Sequence, residues 1–411
     1  MSILVLSVIV VVFVFDLLIT VLNFNQRKLP LPENVRGIYD EAAYQKWLSY
    51  TNDKLRMEWI GKTINLVMMV LLLSLGFFGA LESLASSLSP NPIVQTLIFL
   101  GLFMGLTSLL SLPFEWIDTF KIEAKYGFNT TTPKTFWIDQ IKGLALGSLL
   151  FGVLVSILNG LYLTFQTRLV DFAVTAWLVI MGVMVALFIL NVKVFVRLFN
   201  KLKPIEDAQL KEKINALASQ AGFNVKSIFT MDASKRSTKL NGFYSGLGKT
   251  GEIVLYDTLL NKMNHEEILA VLAHELGHAK HKDTLRMLIV QNSILGTFMI
   301  GIAWILSTPS LFTAFGLSGI HFGFAFVLFT ILIEPLTLIY GVQTNAMLRQ
   351  AEFKADAFSV QLTSKEAMSS VMKILVTENF SNLNPHPLYV LLHYSHPPIS
   401  ERLKAIQEVT I

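Results

Sequence analysis

The 411-residue chain contains no cysteine. That absence excludes disulfide staples, a cysteine nucleophile and the Cys-rich kind of structural zinc site. Any metal must therefore sit on histidine and carboxylate. Charge is scarce as well: Asp, Glu, Lys and Arg make up 15% of the chain, against about 25% in an ordinary soluble domain. With 53% hydrophobic residues, this is the composition of an integral membrane protein. The net charge of +4 is small, and no Lys/Arg run stands beside interleaved aromatics, so nucleic acid is excluded as a partner. No internal repeat or low-complexity tract is present.

What the chain does have is long apolar runs near the ~20 residues needed to cross a bilayer. They lie at 3–23, 64–86, 93–113, 145–166, 172–192, 286–307 and 322–342, which predicts seven spans. The first lacks a basic n-region and an Ala-x-Ala cleavage site and carries Asp16, so it reads as a retained helix. Arg27, Lys28, Arg36, Lys46, Lys54, Arg56 and Lys62 follow span one, and Lys121, Lys125, Lys134 and Lys142 follow span three. Those loops are expected in the cytoplasm, with the N-terminus outside and the C-terminus inside.

Four regions follow. Residues 1–199 hold spans one to five, 200–284 form a cytoplasmic segment, 285–343 hold spans six and seven, and 344–411 form a helical C-terminal segment. In the cytoplasmic segment, Glu206 to Ala221 has helical periodicity and stops at Gly222, a C′ glycine. Val225 to Met231, Asn241 to Leu247 and Glu252 to Tyr256 read as strands. Asn264-His265-Glu266-Glu267 resembles a capping box opening the next helix.

That helix carries His274-Glu275-Leu276-Gly277-His278. Histidines at i and i+4 share a helix face and can aim at one ion, while Glu275 is placed to take a proton from an activated water. The plain alternative is a chance string on an exposed helix. The preceding Ile268-Leu269-Ala270-Val271-Leu272-Ala273 argues for burial instead.

A catalytic zinc usually has three protein ligands and one open position. Candidates for the third are His281, Asp283, Glu334, Glu352 and the C-terminal histidines. His281, three residues past His278, reads as a surface residue. Glu334 is an intramembrane carboxylate before Pro335, a functional candidate by default, with pairing to a buried polar group as its alternative. Glu352 is the better choice. It stands four residues before Asp356 in Arg349-Gln350-Ala351-Glu352-Phe353-Lys354-Ala355-Asp356, so one acid can bind metal while the other orients a liganding imidazole. A solvated amphipathic turn is the plain alternative for so short a fragment.

The HELGH string, Ala351-Glu352-Phe353-Lys354-Ala355-Asp356, and Asn384-Pro385-His386-Pro387 followed by His393-Tyr394-Ser395-His396-Pro397-Pro398 resemble the integral-membrane CAAX prenyl proteases of the zinc gluzincin class. Tyr126-Gly127-Phe128-Asn129, Ser234-Lys235-Arg236-Ser237 and Ile253-Val254-Leu255-Tyr256-Asp257-Thr258-Leu259-Leu260 add to the likeness, in the family's order. The resemblance implies a mainly α, multi-pass fold: seven transmembrane helices enclosing an intramembrane chamber, with a small cytoplasmic α+β zinc-peptidase domain. It implies one zinc ion on His274, His278 and Glu352, Glu275 as general base and Asp356 behind the ligands. The implied substrate is a peptide or protein with a C-terminal prenylated Cys-a-a-X, losing its last three residues. Some members also make a second, upstream cut.

By the same resemblance Asn241 stands on an edge strand that holds the substrate backbone. His396 and Arg402 stand near the zinc, for the developing oxyanion or the substrate carboxylate; a turn histidine before two prolines is the plain reading of His396. Two departures bear on substrate contacts: Asn241-Gly242-Phe243 replaces the usual Asn-Ala-Tyr, and Leu348 stands where Ser is common. The short connection between spans six and seven fits a compact bacterial member in the cytoplasmic membrane, or the endoplasmic reticulum if the source is eukaryotic. Its natural substrates would then include non-prenylated proteins, as in membrane quality control. Rivals of another class are a transporter using Asp16, Glu82 and Glu334, and a catalytically silent binding protein. The sequons at Asn129 and Asn379 face the cytoplasm in this topology, where glycosylation is not expected.

Overall fold

The computed structural model describes residues 1–246 and 250–410. Helix α1 covers Ser2–Gln26. Helix α2, Glu41–Ser74, starts at Asp40, whose carboxylate accepts from the Ala43 N–H. It ends ahead of Gly76, which takes a left-handed conformation at φ 72°, and the chain restarts as α3, Phe77–Leu88. The run expected as one span at 64–86 is therefore two helices, because glycine's freedom at positive φ breaks it. Helix α3 buries Phe78, Leu81 and Ala85 and packs on α4, Pro92–Ile117. Helices α5, Pro133–Thr164, and α6, Leu169–Leu190, complete the N-terminal half. Both α4 and α6 run on through π-helical stretches, Asp118–Glu123 and Asn191–Val196.

The next segment holds a four-stranded sheet: β1 Leu202–Pro204, β2 Asn224–Met231, β3 Gly242–Ser245 and β4 Thr250–Tyr256. The order is β1-β2-β4-β3, with β2 and β4 parallel and the outer pairs antiparallel. Strand β1 had no sequence signal, being three residues ending in proline. The expected end of the third strand at Leu247 lies outside the described residues. Helix α7, Ala208–Ala221, is capped by Asp207 and ends at Gly222, φ 82°. Helix α8 is Asp257–Lys262. Helix α9, His265–Lys280, opens with the full capping box: Asn264 accepts from the Glu267 N–H and Glu267 from the Asn264 N–H.

Helix α10, Asp283–Leu306, is again long and apolar. Helices α11, Phe322–Leu332, and α12, Glu334–Leu362, are bent by 55°. Pro335 sits in the first turn of α12, lacking an N–H and crowding the preceding turn. Helices α13 Lys365–Asn379, α14 Pro387–His393 and α15 Ile399–Glu408 close the chain. Among the described residues six helices are long and apolar enough to cross a membrane, or seven if the bent α11–α12 pair is counted as one span.

Two of the recognised motifs join the halves. Asn129 bridges Ser237 in antiparallel fashion, and Gly127 turns at φ 86° to allow it. Arg236 donates two hydrogen bonds to Asp139 of α5, at 2.8 and 3.0 Å, and one to the Phe199 carbonyl at 2.6 Å. A planar guanidinium suits such a fork.

Candidate active site

Helix α9 brings His274, Glu275 and His278 to one place, and α12 lies against it. The approach is close: a Cβ on Gly277 would come 2.9 Å from the Ala355 Cα. Ser359 adds a 2.7 Å hydrogen bond to the Ala270 carbonyl. The glycine in HELGH is thus what lets Glu352 reach the histidines.

The three side chains converge. The Nε2 atoms of His274 and His278 are 3.2 Å apart. Glu352 Oε1 is 3.3 Å from His278 Nε2, and Oε2 is 3.5 Å from His274 Nε2. Ligands about 2.0–2.1 Å from a tetrahedral zinc are separated by about 3.3 Å, so the spacing fits a shared ion. Among the described residues this trio is the one group of three or more His and acidic side chains able to hold a metal. The electrostatics agree. Burial works against a cation here, but Asp356 and Glu352 outweigh it and carry the His274 pKa up to about 9: the pocket favours positive charge where the ring nitrogens meet.

Behind the trio stand the groups that orient it. His274 Nδ1 lies 2.9 Å from Asp356 Oδ1, and His278 Nδ1 lies 3.1 Å from Asp283 Oδ2. Asp283, weighed in the sequence as a ligand, backs the second histidine instead. Arg402 is buried and donates to both oxygens of Asp356, at 2.8 and 2.6 Å. Its third nitrogen is 3.1 Å from Glu352 Oε2. All three guanidinium nitrogens thus lie within 3.1 Å of a carboxylate oxygen. His396 differs. Its Nε2 is 3.2 Å from Glu352 Oε1, yet its side chain is 64% exposed, so it is open to a bound molecule. The loop that carries it is pinned by Arg349, which donates to the Val390 and Tyr394 carbonyls, and by Asn345, which donates to Leu392. Sequence reasoning passed over these ties, because nothing in either residue type reports a distant carbonyl.

Burial pushes the Glu275 carboxyl up, opposed by the two histidines. The carboxylate also accepts from the Tyr244 backbone N–H on β3. A cavity of about 480 Å³ is lined by Glu275, His278, Phe243, Tyr244, Phe188 and Leu285, among others. Asn241 is exposed immediately before β3, its Oδ1 accepting from the Gly242 N–H. Strand β3 is the outer edge of the sheet beside the ligand helix.

The other candidates lie elsewhere. His281 ends α9 half-buried against Phe358 rather than on the surface. Glu334 is outside the trio. Asp16 pairs with Lys62 at 2.6 Å, and Glu82 accepts from the Ser318 N–H and hydroxyl. Neither Asp16 nor Glu82 joins the trio.

An HExxH helix, a carboxylate from a second helix and a bundle of membrane-length helices define a membrane-embedded metallopeptidase. The chain belongs to peptidase family M48, whose model matches residues 204–410. A second model, described as the CAAX prenyl protease N-terminal region with five membrane helices, matches residues 20–201. The protein is a multi-pass membrane metalloendopeptidase. It is 31% identical to CAAX prenyl protease 1 homolog of Arabidopsis thaliana, covering 97% of this chain and 95% of that one. It is also 31% identical to CAAX prenyl protease 1 of Saccharomyces cerevisiae, covering 92% and 89%. The crystal structure of S. mikatae Ste24p superposes with a TM-score of 0.92 at 28% identity, over 98% of each chain.

Proposed function

We propose that the protein is a zinc-dependent endopeptidase that removes the last three residues from C-terminal prenylated Cys-a-a-X peptides, with the site toward the cytoplasm. The convergence of three ligand atoms at 3.2–3.5 Å beside an edge strand carries the reading. The full-length similarity to CAAX prenyl proteases supplies the substrate class, and the Lys/Arg-rich loops after spans one and three supply the orientation.

His274, His278 and Glu352 hold the ion. Zinc, when bound, supplies an activated water and a Lewis acid for the scissile carbonyl. Glu275, beside the first ligand on α9, takes the proton from the attacking water and returns it to the leaving amine. Asp356 fixes the His274 ring, and Arg402 fixes Asp356 and Glu352 in turn. His396 is the exposed donor for the developing oxyanion. Asn241 and β3 hold the substrate backbone as an added strand.

Hydrolysis of a farnesylated Cys-a-a-X peptide by purified protein tests this. Glu275→Gln is expected to lower the rate by about 10²–10⁴ with zinc retained, the usual worth of a general base. Chelation should abolish activity, and Glu352→Ala should lose zinc while Glu334→Ala keeps it. Activity surviving in Glu275→Gln would sink the mechanism, and zinc lost from Glu334→Ala but not Glu352→Ala would overturn the ligand set.

A further inference from the structure

The approach to β3 is held from both sides. The Asn241 carbonyl accepts from the Tyr256 N–H, and the Lys239 carbonyl accepts from the Thr258 hydroxyl. Both face the body of the domain. Successive residues of an extended chain turn their N–H and C=O to opposite sides, so Leu240, Gly242 and Tyr244 face the outer edge. That is the edge along which a peptide would pair. At Tyr244 the N–H meets Glu275.

At Gly242 the N–H is met by Asn241 Oδ1 at 2.8 Å, an exposed side chain that an incoming strand displaces; at Leu240 the lane is taken by another helix. The Asn379 side chain accepts from the Leu240 N–H at 3.0 Å and donates to the Leu240 carbonyl at 3.4 Å. One carboxamide thus imitates the pairing that a neighbouring strand would make. It is firmly placed. Asn379 is the last residue of α13, and the next residue, Phe380, is left-handed at φ 54°. An aromatic residue there is strained. It is held by ring contacts to Tyr39, Tyr50 and Phe128 with centroids 6.2, 5.7 and 4.9 Å away.

We propose that Asn379 is the end stop of the substrate strand and sets how many residues can lie beyond the scissile bond. The proposal rests on the reading that a peptide pairs with β3. An antiparallel peptide whose bond is cut beside Glu275, at the level of Tyr244, runs its downstream residues toward the start of β3. At about 3.3 Å per residue, the stretch opposite residues 243, 242 and 241 has room for about three residues before Asn379. A longer tail must displace the carboxamide from Leu240 or leave the edge. The site therefore selects peptides by the short distance between the cut and the free C-terminus. The residue acts on length, not on the chemistry at the metal.

The test uses the full-length, zinc-loaded protein and farnesylated peptides carrying three, four, five or six residues after the cysteine, with the cut bond checked by mass spectrometry. In the wild type, kcat/KM is expected to fall about tenfold or more from three residues to six, the worth of two displaced hydrogen bonds. Asn379→Gly should flatten that profile to within about threefold, a difference of under 1 kcal/mol, while the three-residue substrate stays within about threefold of wild type. Asn379→Ser, with a shorter polar side chain, serves if the glycine variant does not fold, and should flatten it in the same sense. A variant of unchanged Tm and zinc content whose length profile superimposes on wild type overturns the end stop, as does a flat profile in wild type. A zinc-loaded wild type that cuts none of the lengths overturns the underlying reading, and the end stop with it.

Discussion

Helices α2 and α9 are both rich in apolar residues, yet they solve different problems. In the apolar stretch of α2 only 6% of residues are buried within the protein, and Leu71 is 49% exposed. In α9, Ile268, Ala270, Leu272 and Ala273 are buried to 1% exposure or less. The solvent of α2 is lipid and that of α9 is protein. At 16 residues, α9 is about 24 Å long, short of a hydrocarbon core of about 30 Å. An apolar run therefore means a membrane wall in one half and a packed catalytic core in the other. The candidate metal site sits where apolar packing is against protein: α9 and α12 are packed closely enough there to bring His274, His278 and Glu352 within 3.2–3.5 Å of one another.

The sharpest way to break this comparison is at Gly277. A Cβ there meets Ala355 backbone, and no rotamer of Val avoids it. Gly277→Val is expected to force α9 from α12, costing about 1–3 kcal/mol or more for overpacking, and to lower zinc content, read by metal analysis and thermal melting. Retention of both zinc and Tm would show that the close approach is not what positions Glu352. Next comes truncation. Leu272→Ala should destabilise by about 2–5 kcal/mol, the cost of a core cavity. Leu71→Ala, on the lipid face, should stay within about 0.5 kcal/mol. Equal effects would erase the distinction between the two kinds of helix.

The same contrast explains what could be read in advance. Apolar runs announced the spans, and the capping box at Asn264 and Gly222 announced helix ends, because each is a local signal. The HELGH spacing gave two ligands for the same reason. Glu352 was one of several carboxylates by residue type; its spacing four residues before Asp356 made it the better choice, and the family likeness pointed the same way. The second span was misdrawn because Gly76 breaks it without interrupting the hydropathy. The contacts of Arg349 and Asn379 were hidden because their partners are distant in sequence, and that of Asp283 with His278 because it depends on a left-handed turn at Lys282. Arg402 illustrates the limit: its type suggested an anion donor, but its bonds to Asp356 and its approach to Glu352 could not be read from the chain.

The smallest of these effects tests whether the halves behave as one body. Arg236 and Asp139 are each about one quarter exposed, so solvent screens their pairing and surface-like values apply in part. The fork geometry and the added bond to Phe199 raise it above an ordinary surface pair. A double-mutant cycle with Arg236→Ala and Asp139→Ala is expected to give a coupling of about 1 kcal/mol. If lipid-facing and protein-packed halves unfold together, every variant in the cycle shows one transition at a lower Tm, with zinc release tracking it. If the joint merely tethers two independent units, loss of Arg236 splits the melt, and zinc leaves with the peptidase half while the membrane helices persist. The first outcome would mean that α2 and α9, despite their different solvents, share a single cooperative fold.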